Sequence, residues 1–356
     1  MMTFTQPKDG ARLKLRAGEI VEVKAIKDIL LTLDAEGKCA GLPFMPEMLI
    51  HCGKRYRVFK RADKTCDSIK GTWMIRRMYD TVLLDGIRCD GKDHGGCEAG
   101  CMVFWKEAWL RRVDAASMDG SDGARVTENA QVKNLVAIDD AGVCPNVIKR
   151  NAVKYEPSEG ATEARRERYS CQATELHKCT EPLSPGDVRQ YVRDIVTGNV
   201  GVGEFLRGIA VALFNLLQKR RRGCIYPHVE GKLTTTPKMV SNLQVGEMVR
   251  VKSLDQIAET LDVRNRNKGL LFDLEMANFC GGTYRVAKRV KQIVNEGTGE
   301  MMKLPNDCLI LDGVSCQSQV HGDRLFCPRR IYSYWREAWL ERVQPSEGHV
   351  EALRNS

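Results

Sequence analysis

The chain contains two copies of one domain-sized unit, and this duplication limits the folds open to it. Residues 18–61 align without a gap with residues 246–289 at an offset of 228, and 21 of the 44 positions are identical. Two further segments, 84–113 and 311–343, both begin with Leu-Asp-Gly and both end on Trp-(Lys/Arg)-Glu-Ala-Trp-Leu. The period is far longer than that of a solenoid repeat, so the sequence predicts two separate modules and not an array.

Each copy has the pattern of a small β module. Ile20–Lys24 alternates apolar and polar residues, which predicts a strand, and a short helix follows from Ile26 to Leu33. In the second copy Ser253 and Gln256 form a capping-box start for that helix. Short strands and tight turns predict a mainly β fold with α elements, in which two SH3-like small β-barrel modules flank a mostly helical connector. The repeated tryptophans are interpreted as core anchors.

The segments outside the two modules differ from them in composition. Ser184–Asp187 indicates a helix start, and a second, apolar helix is predicted from Val202 to Leu217. The predicted organisation is a lead-in (1–17), module 1 (18–113), a linker (114–131), a helical middle region (132–245), module 2 (246–343) and a C-terminal tail (344–356).

Composition favours a globular protein that works in the cytoplasm. The chain has 356 residues, of which 43% are hydrophobic and 28% charged. Its first residues lack the apolar segment of a secretory signal, and no apolar run has the length of a membrane span. Fourteen cysteines in a reducing compartment indicate metal binding or catalysis more often than disulfides.

Three cysteines and one histidine recur in the two modules. A cysteine follows each Leu-Asp-Gly by three residues, another precedes the first tryptophan by eight, and a third lies in the ungapped block. The resulting candidate metal ligands are Cys52, Cys89, His94, Cys97 and Cys101 in module 1 and Cys280, Cys316, His321 and Cys327 in module 2. Thiolate and imidazole ligands suit tetrahedral Zn²⁺, so we expect a structural zinc in each module. The fourth ligand of module 1 is either His94 or Cys101.

The same cysteines have a simpler interpretation as buried, reduced thiols that pack like small hydrophobic side chains. Cys39, Cys144, Cys224 and Cys308 are interpreted in this way, because no ligand spacing surrounds them. A further cluster, Cys171-x5-His177-x-Cys179, is a possible ligand set, but a turn-rich surface segment explains it better.

A basic stretch with interleaved aromatic residues follows Cys52 and partly recurs in module 2. The candidate anion-binding residues are Lys54, Arg55, Arg57, Lys60, Arg61, Arg285 and Arg289. With a net charge of +9, they are compatible with a protein partner, an anionic small molecule or nucleic acid. The alternative is that Arg57 and Arg285 pair with Glu47 and Glu275.

Four motifs resemble a bacterial family of unknown function with tandem Cys/Trp-rich repeat units. They are EMLIHCGKRYRVFKRADKTCD, LDGIRCDGKDHGGCEAGCMVFWKEAWL, YSCQATEL and DVRQYVRDIVTGNV. The resemblance implies an association with polysaccharide or secondary-metabolite biosynthesis genes, and it implies no catalytic residues. The expected function is a zinc-binding accessory or interaction protein of a biosynthetic pathway. A metalloenzyme with its site in module 1, or an RNA- or nucleotide-binding protein, are the alternatives.

Overall fold

A computed structural model describes residues 12–69, 74–113, 153–156 and 166–343, together with Ile148. The predicted linker 114–131 and tail 344–356 lie outside the described residues, as do most of the lead-in and the first part of the middle region. The chain forms two compact units. Unit 1 comprises Met1–Leu206, Ile293–Met302 and Phe326–Arg329, and unit 2 comprises Arg207–Gln292, Lys303–Leu325 and Arg330–Ser356.

Module 1 consists of short strands joined by tight turns and single helical turns. Its strands are β1 (Ile20–Val23), β2 (Lys38–Cys39), β3 (Leu42–Pro43), β4 (Arg55–Arg61), β5 (Lys64–Cys66), β6 (Ile75–Arg77), β7 (Thr81–Arg88), β8 (Met102–Lys106) and β9 (Leu110–Arg112). Its helical elements are α1 (Ile26–Leu30) and the 3-10 helices Pro46–His51 and Glu107–Trp109.

The middle region combines helices with short strands. Its described elements are β10 (Val153–Glu156), β11 (Arg166–Tyr169), α2 (Gln172–Glu175), β12 (Glu181–Pro182), α3 (Arg189–Val196) and α4 (Val202–Arg221). The two helices predicted from Ser184 and from Val202 are confirmed as α3 and α4. The prediction that the connector is mostly helical is not confirmed, because its described part also contains β10 and β11, which pair with each other, and β12, which pairs with β6.

Module 2 has the element order of module 1 up to its fourth strand and has longer central strands, but within the described residues it has no strands equivalent to β5, β6 and β8. Its elements are β13 (Met248–Val251), α5 (Leu254–Ala258), β14 (Arg266–Asn267), β15 (Leu270–Leu271), β16 (Thr283–Val294), β17 (Met301–Leu311) and β18 (Leu340–Arg342), with 3-10 helices at Leu274–Phe279, Gly322–Arg324 and Glu337–Trp339. Ser253 caps α5 and its hydroxyl accepts the N–H of Gln256, which confirms the predicted capping box.

The two modules have the same central sheet. In module 1 the strand order is β8-β7-β4-β1-β9, and in module 2 it is β17-β16-β13-β18. Both closing strands pair antiparallel with the first strand of their module, Val21 opposite Arg112 and Val249 opposite Arg342. The prediction of a mainly β fold with α elements is therefore confirmed, and the structure shows one curled sheet in each module.

The repeated tryptophans are core residues, as predicted. Trp109 packs edge to face on Phe44 with ring centroids 5.2 Å apart, and Trp339 packs on Phe272 at 5.3 Å. Both indoles are fully buried. Each core is closed by the same aromatic pair because the two residues occupy equivalent positions of the repeat.

Strand β7 does not end at the Asp85-Gly86 step but continues through it to Arg88. Gly86 has a positive φ of 72°, and the pairing of β7 with β8 shifts register between Leu83 and Arg88. The glycine therefore makes a β-bulge that redirects the strand towards Cys89.

Candidate metal centre

Three side chains of module 1 meet at one end of its sheet. Glu47 lies on the 3-10 helix Pro46–His51, Cys89 directly follows β7, and His94 lies in the loop that leads to β8. Their ligand atoms all lie within 4.8 Å of one another. Sequence reasoning selected Cys89 and His94 as ligands and missed Glu47.

The loop carrying His94 folds back on itself through backbone hydrogen bonds. The N–H groups of His94 and Gly96 both donate to the carbonyl of Gly91, at 3.0 and 2.9 Å. Gly91 has a positive φ of 72°, and a side chain there would collide with the backbone of Cys97. Only glycine fits this position, so the sequence of the loop itself turns His94 towards the sheet.

The imidazole of His94 is oriented by a carboxylate. Its Nδ1 lies 2.6 Å from Oε1 of Glu47, and the thiol of Cys89 donates to the same oxygen over 3.7 Å. A carboxylate oxygen accepts hydrogen bonds, so Nδ1 is the donor in this contact and Nε2 is the ring nitrogen that does not take part in it. A carboxylate–histidine pair of this kind is the usual support of a metal-bound imidazole.

Two polar atoms of this group have no hydrogen-bond partner among the residues that the structure describes. They are Nε2 of His94 and Oε2 of Glu47, and both are buried. His94 is only 1% exposed. Buried polar atoms are usually paired, so both atoms are candidates to contact a bound cation.

The thiol of Cys89 is held in its protonated form while no metal is bound. Burial is the largest cause of its raised pKa, and the negative charges of Glu47 and Cys101 raise the pKa further. A cation at this position would reverse the effect, because metal coordination deprotonates a thiol. Nitrogen, sulfur and carboxylate donors together suit Zn²⁺ among the common divalent ions.

The equivalent residues of module 2 are arranged differently. Glu275 accepts the backbone N–H groups of Gln319 and Val320, at 3.1 and 2.8 Å. His321 instead lies 3.1 Å from Asp273, which also pairs with Arg324 at 2.6 Å. Within the described residues, module 2 therefore has no group that matches the one in module 1.

A single position of the repeat explains this difference. Asp273 occupies the place of Met45, which has no charge to attract a histidine. Burial alone would raise the pKa of Asp273, but its hydrogen bond to His321 and the charge of Arg324 lower it. The aspartate is therefore an ionised partner that draws His321 away from Glu275.

The remaining predicted ligands have other surroundings. Cys52 and Cys280 both cap the C-terminus of a 3-10 helix, and burial raises the pKa of each thiol to about 11. The sulfur of Cys316 lies 3.4 Å from the hydroxyl of Ser318. Cys97 accepts the N–H of Val294 at 3.3 Å, and Cys327 accepts the N–H of Cys66 at 3.2 Å. Both of these contacts lie within unit 1.

Several of the candidate anion-binding residues are engaged with the protein. Arg61 is buried and pairs with Asp63 and Glu107. Arg289 pairs with Glu337 at 2.6 Å, and Arg55 with Glu22 at 3.5 Å. Lys60 lies over the ring of Phe59, and Arg285 donates to the carbonyl of Gly246. Lys54 and Arg57 are exposed. Among the described residues, Glu47 contacts His94 and Glu275 accepts a hydrogen bond from the loop at Gln319, so the suggested pairing of Arg57 and Arg285 with these glutamates is not observed.

No protein-family model, curated protein or solved structure matches the chain. In the part of the chain that the structure describes, no helix is both long and apolar enough to cross a membrane.

Proposed function

We propose that the chain is a zinc-binding accessory protein whose module 1 holds one structural zinc ion at Glu47, Cys89 and His94. The observation that carries this proposal is the group of three ligand atoms, one each from Glu47, Cys89 and His94, that all lie within 4.8 Å of one another. A zinc ion there would supply fixed positive charge that holds the loop, the 3-10 helix and the end of β7 together. The association with a biosynthetic pathway rests on the family resemblance, and the cytoplasmic location stays a prediction from the sequence.

Burial favours a structural role over a catalytic one. The side chains of His94 and Glu47 are 2% and 6% exposed. A catalytic zinc keeps an open position that substrate can reach, whereas a structural zinc is closed by protein ligands. The engaged arginines, Arg61 and Arg289, likewise favour an accessory protein over one that binds nucleic acid through this surface.

The test is a count of zinc per chain in protein purified without a metal-binding tag. We expect about one zinc per wild-type chain, since within the described residues a group of three ligand atoms occurs in module 1 and not in module 2. Cys89→Ser and His94→Ala should lose it, whereas the matched variants Cys316→Ser and His321→Ala should keep it. A metal-free wild-type protein, or equal loss from both pairs of variants, would contradict the proposal.

A further inference from the structure

We propose that Cys101 and Cys171 complete the coordination of this zinc, so that the ligands are Cys89, His94, Cys101 and Cys171 with Glu47 as the supporting carboxylate. This inference rests on the proposed function of module 1. It adds a residue from the middle region, and it makes the ion the link that ties the segment 167–180 to module 1.

The first reason is the number of ligands. A structural zinc takes four protein ligands in a tetrahedron. If Oε1 of Glu47 accepts the proton on Nδ1 of His94, as the 2.6 Å contact indicates, the group supplies Nε2 of His94 and Sγ of Cys89 as its strongest donors. Two further donors are needed, and soft thiolates are the preferred partners of such a pair.

Cys101 lies directly beside Cys89 in the fold. The N–H of Cys89 donates to the carbonyl of Cys101 over 2.8 Å, which places the two residues opposite each other at the ends of β7 and β8. The corresponding bond in module 2 joins Cys316 to Ile331, also at 2.8 Å. Module 2 thus has isoleucine where module 1 has this thiol, in agreement with its lack of a metal-binding group.

Cys171 is placed against the same site by its neighbours on both sides. Two residues before it, Tyr169 packs so closely on Gly95 that any side chain at Gly95 would collide with the tyrosine ring. Directly after it, Gln172 donates to the sulfur atoms of Met45 and Met48 at 3.4 and 3.6 Å. Gly95 adjoins His94, and the two methionines flank Glu47. Cys171 therefore lies between the loop and the 3-10 helix that carry the site.

The backbone around Cys171 is prepared for a thiolate. Cys171 is the N-cap of α2, and its sulfur accepts the N–H of Thr174. Backbone N–H groups that point at a sulfur are the usual support of a metal-bound cysteine.

Closing the site requires a small movement. The group whose atoms all lie within 4.8 Å contains neither Cys101 nor Cys171 in the described structure. A change of χ1 rotamer rotates the sulfur of each cysteine about its Cα–Cβ bond and leaves the backbone in place. Metal binding thus selects the rotamers that point the two thiols at Nε2 of His94.

Cobalt substitution of the full chain tests this ligand set. Co²⁺ bound to thiolates gives a sulfur-to-metal charge-transfer band, and three thiolates would share it, so Cys101→Ser and Cys171→Ser should each remove roughly one third of its intensity. Each variant should also weaken zinc binding at least about 10-fold. Cys52→Ser is the matched control in the same module, and it should leave both band and affinity unchanged.

A second measurement uses the wild-type protein and does not depend on the variants folding. Hydrogen exchange with and without zinc should show that the amides of residues 171–178 are protected by the metal. A full-intensity band in both serine variants, together with unchanged exchange at 171–178, would overturn the ligand set while leaving the zinc of module 1 in place. Failure of the wild-type chain to bind Co²⁺ would instead refute the proposed function itself.

Discussion

The Nδ1 atom of His94 lies 2.6 Å from Oε1 of Glu47, whereas the equivalent histidine of module 2, His321, lies 3.1 Å from Asp273 and leaves Glu275 to the backbone of its loop. Two nearly identical stretches of sequence therefore build two different environments for the same residue types. The carboxylate of module 1 orients an imidazole, and the carboxylate of module 2 closes a loop. A residue of one module can be compared with the residue at the equivalent position of the other module, which serves as its control.

Glu47→Gln should weaken zinc binding about 10- to 100-fold, because the carboxylate that fixes the ring and tautomer of His94 is replaced by a neutral amide. Glu275→Gln should leave zinc binding unchanged but lower the free energy of unfolding by about 1–2 kcal/mol, because it weakens the acceptor of two backbone N–H groups. Competition with a chelator measures the first effect, and urea denaturation the second. Equal effects of the two substitutions on zinc affinity would show that the glutamates do not differ in role.

The indole N–H of Trp109 donates to the hydroxyl of Thr32, and that of Trp339 donates to Thr260, both over 3.0 Å. Replacing either threonine by valine keeps the shape but leaves a buried indole N–H without an acceptor. We expect Thr32→Val and Thr260→Val each to lower the free energy of unfolding by about 1–3 kcal/mol. Thr236→Val serves as a control, because its hydroxyl only accepts the N–H of Lys268 near the surface. If Thr32→Val and Thr260→Val both lower the free energy of unfolding by less than Thr236→Val does, these hydrogen bonds do not stabilise the two cores.

His51 should make the stability of unit 1 depend on pH. Burial, and then the charge of Lys54, lower the pKa of its imidazole to about 4, whereas in the unfolded chain it is about 6.5. Between these values the unfolded state binds more protons than the folded state, so stability is present above pH 6.5 and is lost as the pH falls towards 4. The residue at this position in module 2 is Phe279, which packs on Tyr284 as His51 packs on Tyr56. His51→Phe should therefore reduce the loss of stability between pH 7 and pH 5, measured by thermal melts at both values. An unchanged slope would mean that His51 is protonated in the folded state.

Lys64 and Asp194 form a buried ion pair at 2.6 Å, with side chains that are 3% and 5% exposed. Burial, the largest cause, lowers the pKa of Lys64, which is partly offset by the charge of Asp194. Lys64→Met leaves that carboxylate buried without its partner, so we expect a loss of about 3–5 kcal/mol in the free energy of unfolding. The double variant Lys64→Met/Asp194→Asn removes the stranded charge and should recover part of the loss. Denaturation of the wild type and both variants measures this coupling, and a double variant less stable than Lys64→Met would contradict it.

Many of the secondary-structure elements are determined by neighbouring residues and can therefore be predicted from the sequence. The alternation in Ile20–Lys24, the capping box at Ser253 and the apolar run from Val202 each specify their element through neighbouring residues. The duplication also predicts that each module has a similar sheet and a similar aromatic core. Equivalent residues such as Phe44 and Phe272 indeed make equivalent contacts. Cys89 and His94 recur in module 2 as Cys316 and His321, and this recurrence marked them as candidate ligands.

The composition of the metal centre was decided only by the tertiary structure. Glu47 reaches His94 across 47 positions of the chain, and Gln172 reaches Met48 across 124. No local pattern encodes contacts of this separation, because they depend on how the 3-10 helix, the loop and the middle region pack. Nor does the sequence repeat show that the modules differ here. One replacement, Met45 by Asp273, provides an ionised partner for His321, and this charge rather than any ligand spacing redirects the histidine.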